Sequence, residues 1–273
     1  MASQDMYLID AGKDTEHQSI MQLINHDGPR IQLFQQLGIL PTAAWFLVEV
    51  REQFTGASRE IDIIAGNFTQ QSIDPKAIPM PSADYIVAVE VKCSRFVWPS
   101  EIRATHNSKA KSRQLESQIG SAFSDGFDKV ALFDLVVTSP APSNSSHGYF
   151  EAMTISTQAV EKAREVFIDD RLKKNTNAGH YLWTLTGLGG GSERRRGVFP
   201  NPSTIRRAGS NDLLAQGKES AIRQRQKIVR NIAQLFRDYP PRTLPWILID
   251  CALHNRIHEF PDNIESPCLF KAR

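Results

Sequence analysis

Two strand-like runs, residues 59–66 and 85–92, place charged side chains among β-branched and aliphatic neighbours. Side chains two residues apart in a β-strand share a face, so Glu90 and Lys92 point the same way. If the two runs pair in a suitable register, Asp62 joins them on that face. The sequence therefore predicts a point where two carboxylates and one ammonium converge. Such a cluster suits a Mg²⁺ or Mn²⁺ ion held against a phosphate.

The segments around these runs alternate between strand and helix patterns. Residues 44–54 are typical of a strand that forms a hairpin with the Asp62 run. Apolar side chains recur at helical spacing over residues 107–123, and residues 129–138 form a nearly continuous apolar run of the kind buried in a central strand. This order predicts an α/β fold with a mixed central β-sheet flanked by helices.

A serine- and proline-rich stretch at residues 139–148 marks the best internal boundary. We predict a core over residues 1–140 and an α/β extension with a basic face over residues 141–273, packed on the core. The patterns within the extension predict a helix over 157–174, a strand over 180–188, a glycine-rich loop running through Pro202, a helix over 219–238 and a strand over 244–253.

The order of these motifs resembles that of the PD-(D/E)XK nuclease superfamily. The pattern of that family is an acid on one strand followed by Glu/Asp-X-Lys on the next, and it matches Asp62 and Glu90-Val91-Lys92. The resemblance covers roughly residues 16–138 and implies a restriction-endonuclease-like core that hydrolyses phosphodiesters. It also implies that Asp62 and Glu90 bind the divalent metal and that Lys92 is the catalytic cation.

Five further residues are candidates for the same site, and they are Glu49, Arg59, Glu60, Gln114 and Gln118. The two glutamines resemble a glutamine that some members of the superfamily carry on the following helix. Glu60 shares a face with Asp62 by strand parity. Arg59 either contacts phosphate or pairs with an acid. Glu49 either completes the cluster or faces solvent, and solvent exposure is the favoured alternative.

Charge is distributed unevenly along the chain, although the formal net charge is only +2. Residues 1–100 carry seven Lys/Arg against twelve Asp/Glu, whereas residues 190–242 carry twelve against four. An acidic metal centre with a basic flank suits a polyanionic substrate, although surface charge alone identifies no partner. DNA is the substrate in the leading hypothesis, that of a nuclease. The candidate nucleic-acid contacts are Lys109, Lys111, Arg113, Arg194, Arg195, Arg196, Arg223 and Lys227.

The three cysteines are odd in number and widely spaced, which argues against a disulfide framework and favours a reducing compartment. No run approaches the roughly 18 apolar residues of a membrane helix, and the N-terminus lacks a signal-peptide pattern. We therefore expect a soluble, cytoplasmic protein that makes no membrane contact. Four side chains offer soft ligands for zinc, although an apolar strand running into a loop explains them as well: Cys251, His254, His258 and Cys268.

These patterns favour a metal-dependent nuclease. The alternative is a catalytically inactive protein of the same fold that binds nucleic acid or acts as an assembly subunit. The chain has no recognisable helicase, ATPase or sensor motif, which suggests the effector subunit of a microbial antiviral defence system, regulated by a protein partner. The sequence does not decide whether several copies of the chain form a homo-oligomer.

Overall fold

The computed structural model describes residues 20, 23–24, 27–69, 80–97, 101–104, 108–138, 149–167, 171–172, 176–187, 198–239, 246–251 and 256–260. The α-helices in these ranges are α1 (Asp27–Leu37), α2 (Glu52–Thr55), α3 (Ser108–Ser124), α4 (Tyr149–Phe167), α5 (Asp212–Ala215) and α6 (Glu219–Asp238). The strands are β1 (Ala44–Val50), β2 (Ile61–Phe68), β3 (Pro81–Val97), β4 (Glu101–Ala104), β5 (Lys129–Thr138), β6 (Gly179–Gly187), β7 (Val198–Arg206), β8 (Trp246–Cys251) and β9 (Arg256–Phe260).

All of these strands belong to one mixed sheet, in the order β7-β6-β5-β3-β2-β1-β8-β9, with β4 paired to β3. The β3–β5, β5–β6 and β1–β8 pairs are parallel, whereas β1–β2, β2–β3, β3–β4, β6–β7 and β8–β9 are antiparallel. The mixed α/β fold predicted from the sequence is therefore confirmed. Within the described ranges, no helix is both long and apolar enough to cross a membrane.

Strand parity divides the core between two faces of the sheet. The first face packs on α1, through residues such as Phe34 of the helix and Val89 of β3. The second face carries two separate apolar clusters. The α3/α6 cluster includes Leu132 of β5 and residues of helices α3 and α6, and the α4 cluster includes Phe96 of β3, Val136 of β5 and residues of helix α4.

Strand β1 is shorter than the predicted run over residues 44–54. It ends at Val50, and one turn of helix, α2, leads to Gly56, which takes a left-handed conformation at φ 74°. Only glycine adopts that conformation without steric cost, so the helix ends there. The predicted hairpin is confirmed, because β1 and β2, the strands on either side of this turn, pair antiparallel.

Two predictions for the later part of the chain are wrong. Helix α4 spans Tyr149–Phe167 and not the predicted residues 157–174, so the Thr157 hydroxyl lies inside the helix, where it donates to the carbonyl of Met153 at 2.9 Å. The loop predicted to run through Pro202 instead contains strand β7, with Pro200 and Pro202 inside it. Strand β7 lies at one edge of the sheet, where a residue that lacks an N–H is tolerated.

Two tyrosines from the sheet satisfy the last carbonyl groups of α1. The hydroxyl of Tyr85 donates to Leu37 O at 2.5 Å, and that of Tyr181 donates to Gln36 O at 3.1 Å. Burial raises the pKa of Tyr85 to about 12, and the negative charge of Asp128 contributes in the same direction. The neutral phenol is therefore the form that joins helix and sheet.

We expect Tyr85→Phe to lower the free energy of unfolding by about 1 kcal/mol near neutral pH, because Leu37 O loses its donor. The folded-state pKa of Tyr85 lies above its ordinary value of 10.0, so this contribution is complete below pH 10 and disappears as pH rises through about 12. Urea unfolding of both proteins between pH 8 and pH 12 measures the difference. A gap that stays constant over this range would contradict the assignment.

Candidate active site

A row of polar side chains crosses the second face of the sheet, between the α3/α6 cluster and the α4 cluster. It consists of Asp62 on β2, Glu90 and Lys92 on β3, Asp134 on β5 and His180 on β6, and we call it the polar row. In the antiparallel β2–β3 ladder Ile63 opposes Val89, so the next position places Asp62 opposite Glu90. In the parallel β3–β5 ladder Lys92 pairs with Asp134.

The ammonium of Lys92 lies among three oxygen atoms at one end of this row. Its Nζ is 3.0 Å from Glu90 Oε1, 3.8 Å from Asp62 Oδ2 and 2.6 Å from the carbonyl oxygen of Val91. The structure thus brings together the two carboxylates and the lysine that the sequence singled out. Their convergence depends on the β2–β3 register, since a slip of one residue would move Asp62 to the first face.

Arg59 is part of this cluster and holds the other oxygen of Glu90. Its Nη2 lies 2.6 Å from Glu90 Oε2, so each oxygen of that carboxylate faces a cationic donor. Glu90 is only 3% exposed, and a buried carboxylate is costly unless it is paired. Of the two roles predicted for Arg59, pairing with an acid is the one observed.

Asp62 is held by the main chain of the neighbouring strand. Its Oδ2 accepts a hydrogen bond from the backbone N–H of Val91 at 2.5 Å. A charge-assisted bond of this kind orients the carboxylate towards β3. With Arg59 and Lys92 as the two cations, and Asp62 and Glu90 as the two anions, the formal charges of the cluster cancel.

The other end of the polar row contains a histidine that was not predicted as a site residue. His180 Nε2 lies 2.7 Å from Asp134 Oδ2, and Arg171 Nη2 lies 3.2 Å from Asp134 Oδ1. Asp134 is 1% exposed and His180 is 3% exposed. In the sequence, Asp134 interrupts the apolar run of residues 129–138, and that interruption was the only signal of a polar position.

The two glutamates near Asp62 lie outside the cluster. Glu49 is level with Asp62 in the β1–β2 ladder but has a left-handed backbone at φ 47°. The alternation of side chains between the two faces of the sheet is broken at this residue. Val48 packs in the core of the first face, whereas Val50, two residues later, packs in the α3/α6 cluster of the second face. Glu60 is exposed just before β2. Among the described residues, no group of three or more His, Cys, Asp and Glu side chains is placed to hold a metal.

The other candidate residues with described side chains lie on helices α3 and α6. Gln114 and Arg113 are exposed on α3, and Gln118 on the same helix is half-buried. Lys227 and Arg223 are exposed on α6, where Arg223 pairs with Glu219 one turn earlier.

Several predicted residues fall where no side chain is described. The backbone of Lys109 and Lys111 belongs to helix α3, and their side chains are not described. Arg194, Arg195 and Arg196 lie outside the described residues. His254 and Cys268 of the predicted zinc site also lie outside the described residues. Cys251 lies in strand β8 and His258 in strand β9, but the side chains of these two residues are not described.

The donor atoms around Lys92 suit a hard divalent cation. Mg²⁺ prefers oxygen ligands and keeps several water molecules, so two carboxylates and one carbonyl are a sufficient protein contribution. These three oxygens already surround a positive charge, the Lys92 ammonium. These oxygen atoms are of the type that Mg²⁺ or Mn²⁺ prefers, but a metal can bind them only if the Lys92 ammonium moves away from them.

Comparison with known proteins adds little. No protein-family model matches the sequence, and no curated protein matches it. The structure of SfsA from Pyrococcus furiosus in complex with Ca²⁺ is similar at 13% sequence identity and a TM-score of 0.21. The match covers 60% of this chain and only 55% of SfsA. A likeness this low supports no inference about function, so the proposals below depend on the residues of this chain alone.

We expect Arg59→Met to lower the free energy of unfolding by about 2 to 3 kcal/mol, because it removes one of the two cations that neutralise the buried Glu90. Arg223→Met is the matched control. Its ion pair with Glu219 is exposed on α6, so its loss should cost less than about 0.5 kcal/mol. Chemical denaturation of both variants gives the comparison. Equal losses would mean that the Arg59–Glu90 pair contributes no more than a surface pair.

Proposed function

We propose that this protein is a Mg²⁺- or Mn²⁺-dependent nuclease of the PD-(D/E)XK type, which hydrolyses phosphodiester bonds of nucleic acid, with DNA as the favoured substrate. The observation that carries the proposal is the convergence of Asp62, Glu90 and Lys92 on paired strands, with Lys92 Nζ 3.0 Å from Glu90 and 3.8 Å from Asp62. Two carboxylates are ligands that a hard divalent cation prefers, and a lysine beside them can stabilise negative charge that develops on a phosphate.

Each residue has a role that follows from its surroundings. Asp62, Glu90 and the carbonyl of Val91 would hold the metal, which supplies Lewis-acid polarisation of the phosphate and an acidified water. Asp62 is oriented for this by the Val91 N–H. Lys92 keeps a positive charge beside the site and stabilises the negative charge that develops on the phosphate. Arg59 holds Glu90 in place from the other side.

The substrate-binding part of the proposal depends on exposed basic side chains. Arg113 on α3 and Lys227 on α6 belong to the helices that cover the second face, the face that also carries the polar row. Arginine and lysine contacts to phosphate provide affinity and register without base specificity.

Replacement of single cluster residues should abolish cleavage while leaving the fold intact. We expect Asp62→Asn, Glu90→Gln and Lys92→Met each to reduce Mg²⁺-dependent cleavage of DNA by at least about 100-fold, because each removes a charge that acts on the reacting phosphate. The assay compares purified proteins with Mg²⁺, with Mn²⁺ and with a chelator.

Glu165→Gln is the control for this experiment. It removes one carboxylate from an exposed pair with Lys162 on α4, so the activity should not change. Unaltered cleavage in Glu90→Gln or Lys92→Met would exclude this cluster as the catalytic centre. A thermal unfolding curve for every variant separates loss of chemistry from loss of structure.

A second candidate function is favoured by the charge balance of the cluster. Arg59 and Lys92 pair with both oxygens of Glu90, so the charge of this buried acid is balanced without any metal. Under this reading the protein is a catalytically inactive relative of the same fold, which binds nucleic acid or acts as a subunit of an assembly. Regulation by a protein partner and a role in defence stay predictions.

The two candidate functions differ in what Glu90→Gln does. An inactive binding protein should bind DNA equally well before and after this substitution and in the presence of a chelator. Binding at physiological salt should disappear when Arg194, Arg195 and Arg196 are replaced together. Binding that persists at low salt should depend less on salt, because fewer counterions are released. Fluorescence anisotropy at several salt concentrations measures both effects. Metal-dependent cleavage by the wild-type protein would rule this function out.

A further inference from the structure

The Lys92 ammonium stands where the proposed metal ligands converge. Its Nζ lies 2.6 Å from Val91 O, 3.0 Å from Glu90 Oε1 and 3.8 Å from Asp62 Oδ2. An ammonium and a divalent cation repel each other and compete for the same oxygens. Lys92 therefore has to move before a metal can bind there, and its charge needs another acceptor.

Asp134 offers such an acceptor on the neighbouring strand. It pairs with Lys92 in the parallel β3–β5 ladder, on the side of β3 away from Asp62. Adjacent strands are about 4.8 Å apart, which is within the reach of a lysine side chain.

The carboxylate of Asp134 has capacity for one more donor. Its Oδ2 is held by His180 at 2.7 Å. Its Oδ1 lies 3.2 Å from Arg171 Nη2, yet among the described residues it accepts no hydrogen bond. Asp134 is 1% exposed, and buried carboxylate oxygens ordinarily accept hydrogen bonds.

We propose that Asp134 is the second resting position of the Lys92 ammonium, which moves there from Glu90 and Asp62 when a divalent cation binds. This inference rests on the proposed metal-dependent function. Asp134 is then a positioning residue, because it acts on the site through Lys92. His180 holds Oδ2 and Arg171 forms an ion pair with Oδ1, which still accepts no hydrogen bond among the described residues. The movement keeps the lysine charge inside the site instead of releasing it to solvent.

The test is a double-mutant cycle that measures Mn²⁺ affinity. Electron paramagnetic resonance of free Mn²⁺ is recorded with wild type, Asp134→Asn, Lys92→Met and the double variant. We expect Asp134→Asn to weaken Mn²⁺ binding about tenfold when Lys92 is present, because the displaced ammonium loses its acceptor. In the Lys92→Met background the same substitution should change the affinity by less than about twofold, because no ammonium has to be displaced.

An equal loss in both backgrounds would overturn the inference, since a structural or long-range charge effect of Asp134 does not depend on Lys92. Full Mn²⁺ affinity in Asp134→Asn would overturn it as well and would leave the nuclease proposal standing. A wild-type protein that binds no Mn²⁺ would contradict the nuclease proposal and this inference with it.

A second measurement does not depend on how well the variants fold. A crystal structure of the wild-type protein with Mg²⁺ should place Lys92 Nζ within hydrogen-bond distance of Asp134 Oδ1. If Nζ stays on Glu90 while Mg²⁺ is bound, the inference is wrong.

Discussion

Glu90 is 3% exposed in the middle of the sheet, and an uncompensated carboxylate there would cost several kcal/mol. Arg59 and Lys92 each approach one of its oxygens, at 2.6 Å and 3.0 Å. Arg171 forms an ion pair with Asp134 and His180 lies within hydrogen-bond distance of it, two strands away from Asp62. The polar row exists because every buried acid in it has cationic or hydrogen-bonding partners.

The polar row lies between two apolar clusters that pack on the strands carrying it. The α3/α6 cluster packs on one side of it and the α4 cluster on the other, so the strands that carry the charges are held on both sides. Side chains that project from packed strands are positioned more precisely than those on loops. The proposed hydrolysis of a phosphodiester would need this precision, because small displacements of reacting groups reduce a rate strongly.

Elements with a strong and uninterrupted pattern were predictable from the sequence. Strand β5 and helix α6 have the predicted bounds, since a long apolar run and a long amphipathic period each allow few alternatives. The short strands β4 and β9 were missed, and the first part of β7 was predicted to belong to the glycine-rich loop that runs through Pro202. Edge strands of this kind are defined by the partner they pair with, and the partner is distant in sequence.

The sequence by itself determined the alternation of helices and strands, and it singled out Asp62, Glu90 and Lys92, because strand parity is a local property that can be counted along the chain. Only the tertiary structure decided that Asp62 stands opposite Glu90, that Arg59 is a member of the cluster, and that Asp134 with His180 extends it. These facts depend on the register between strands and on contacts across 31 and 46 residues of chain. No local pattern contains that information.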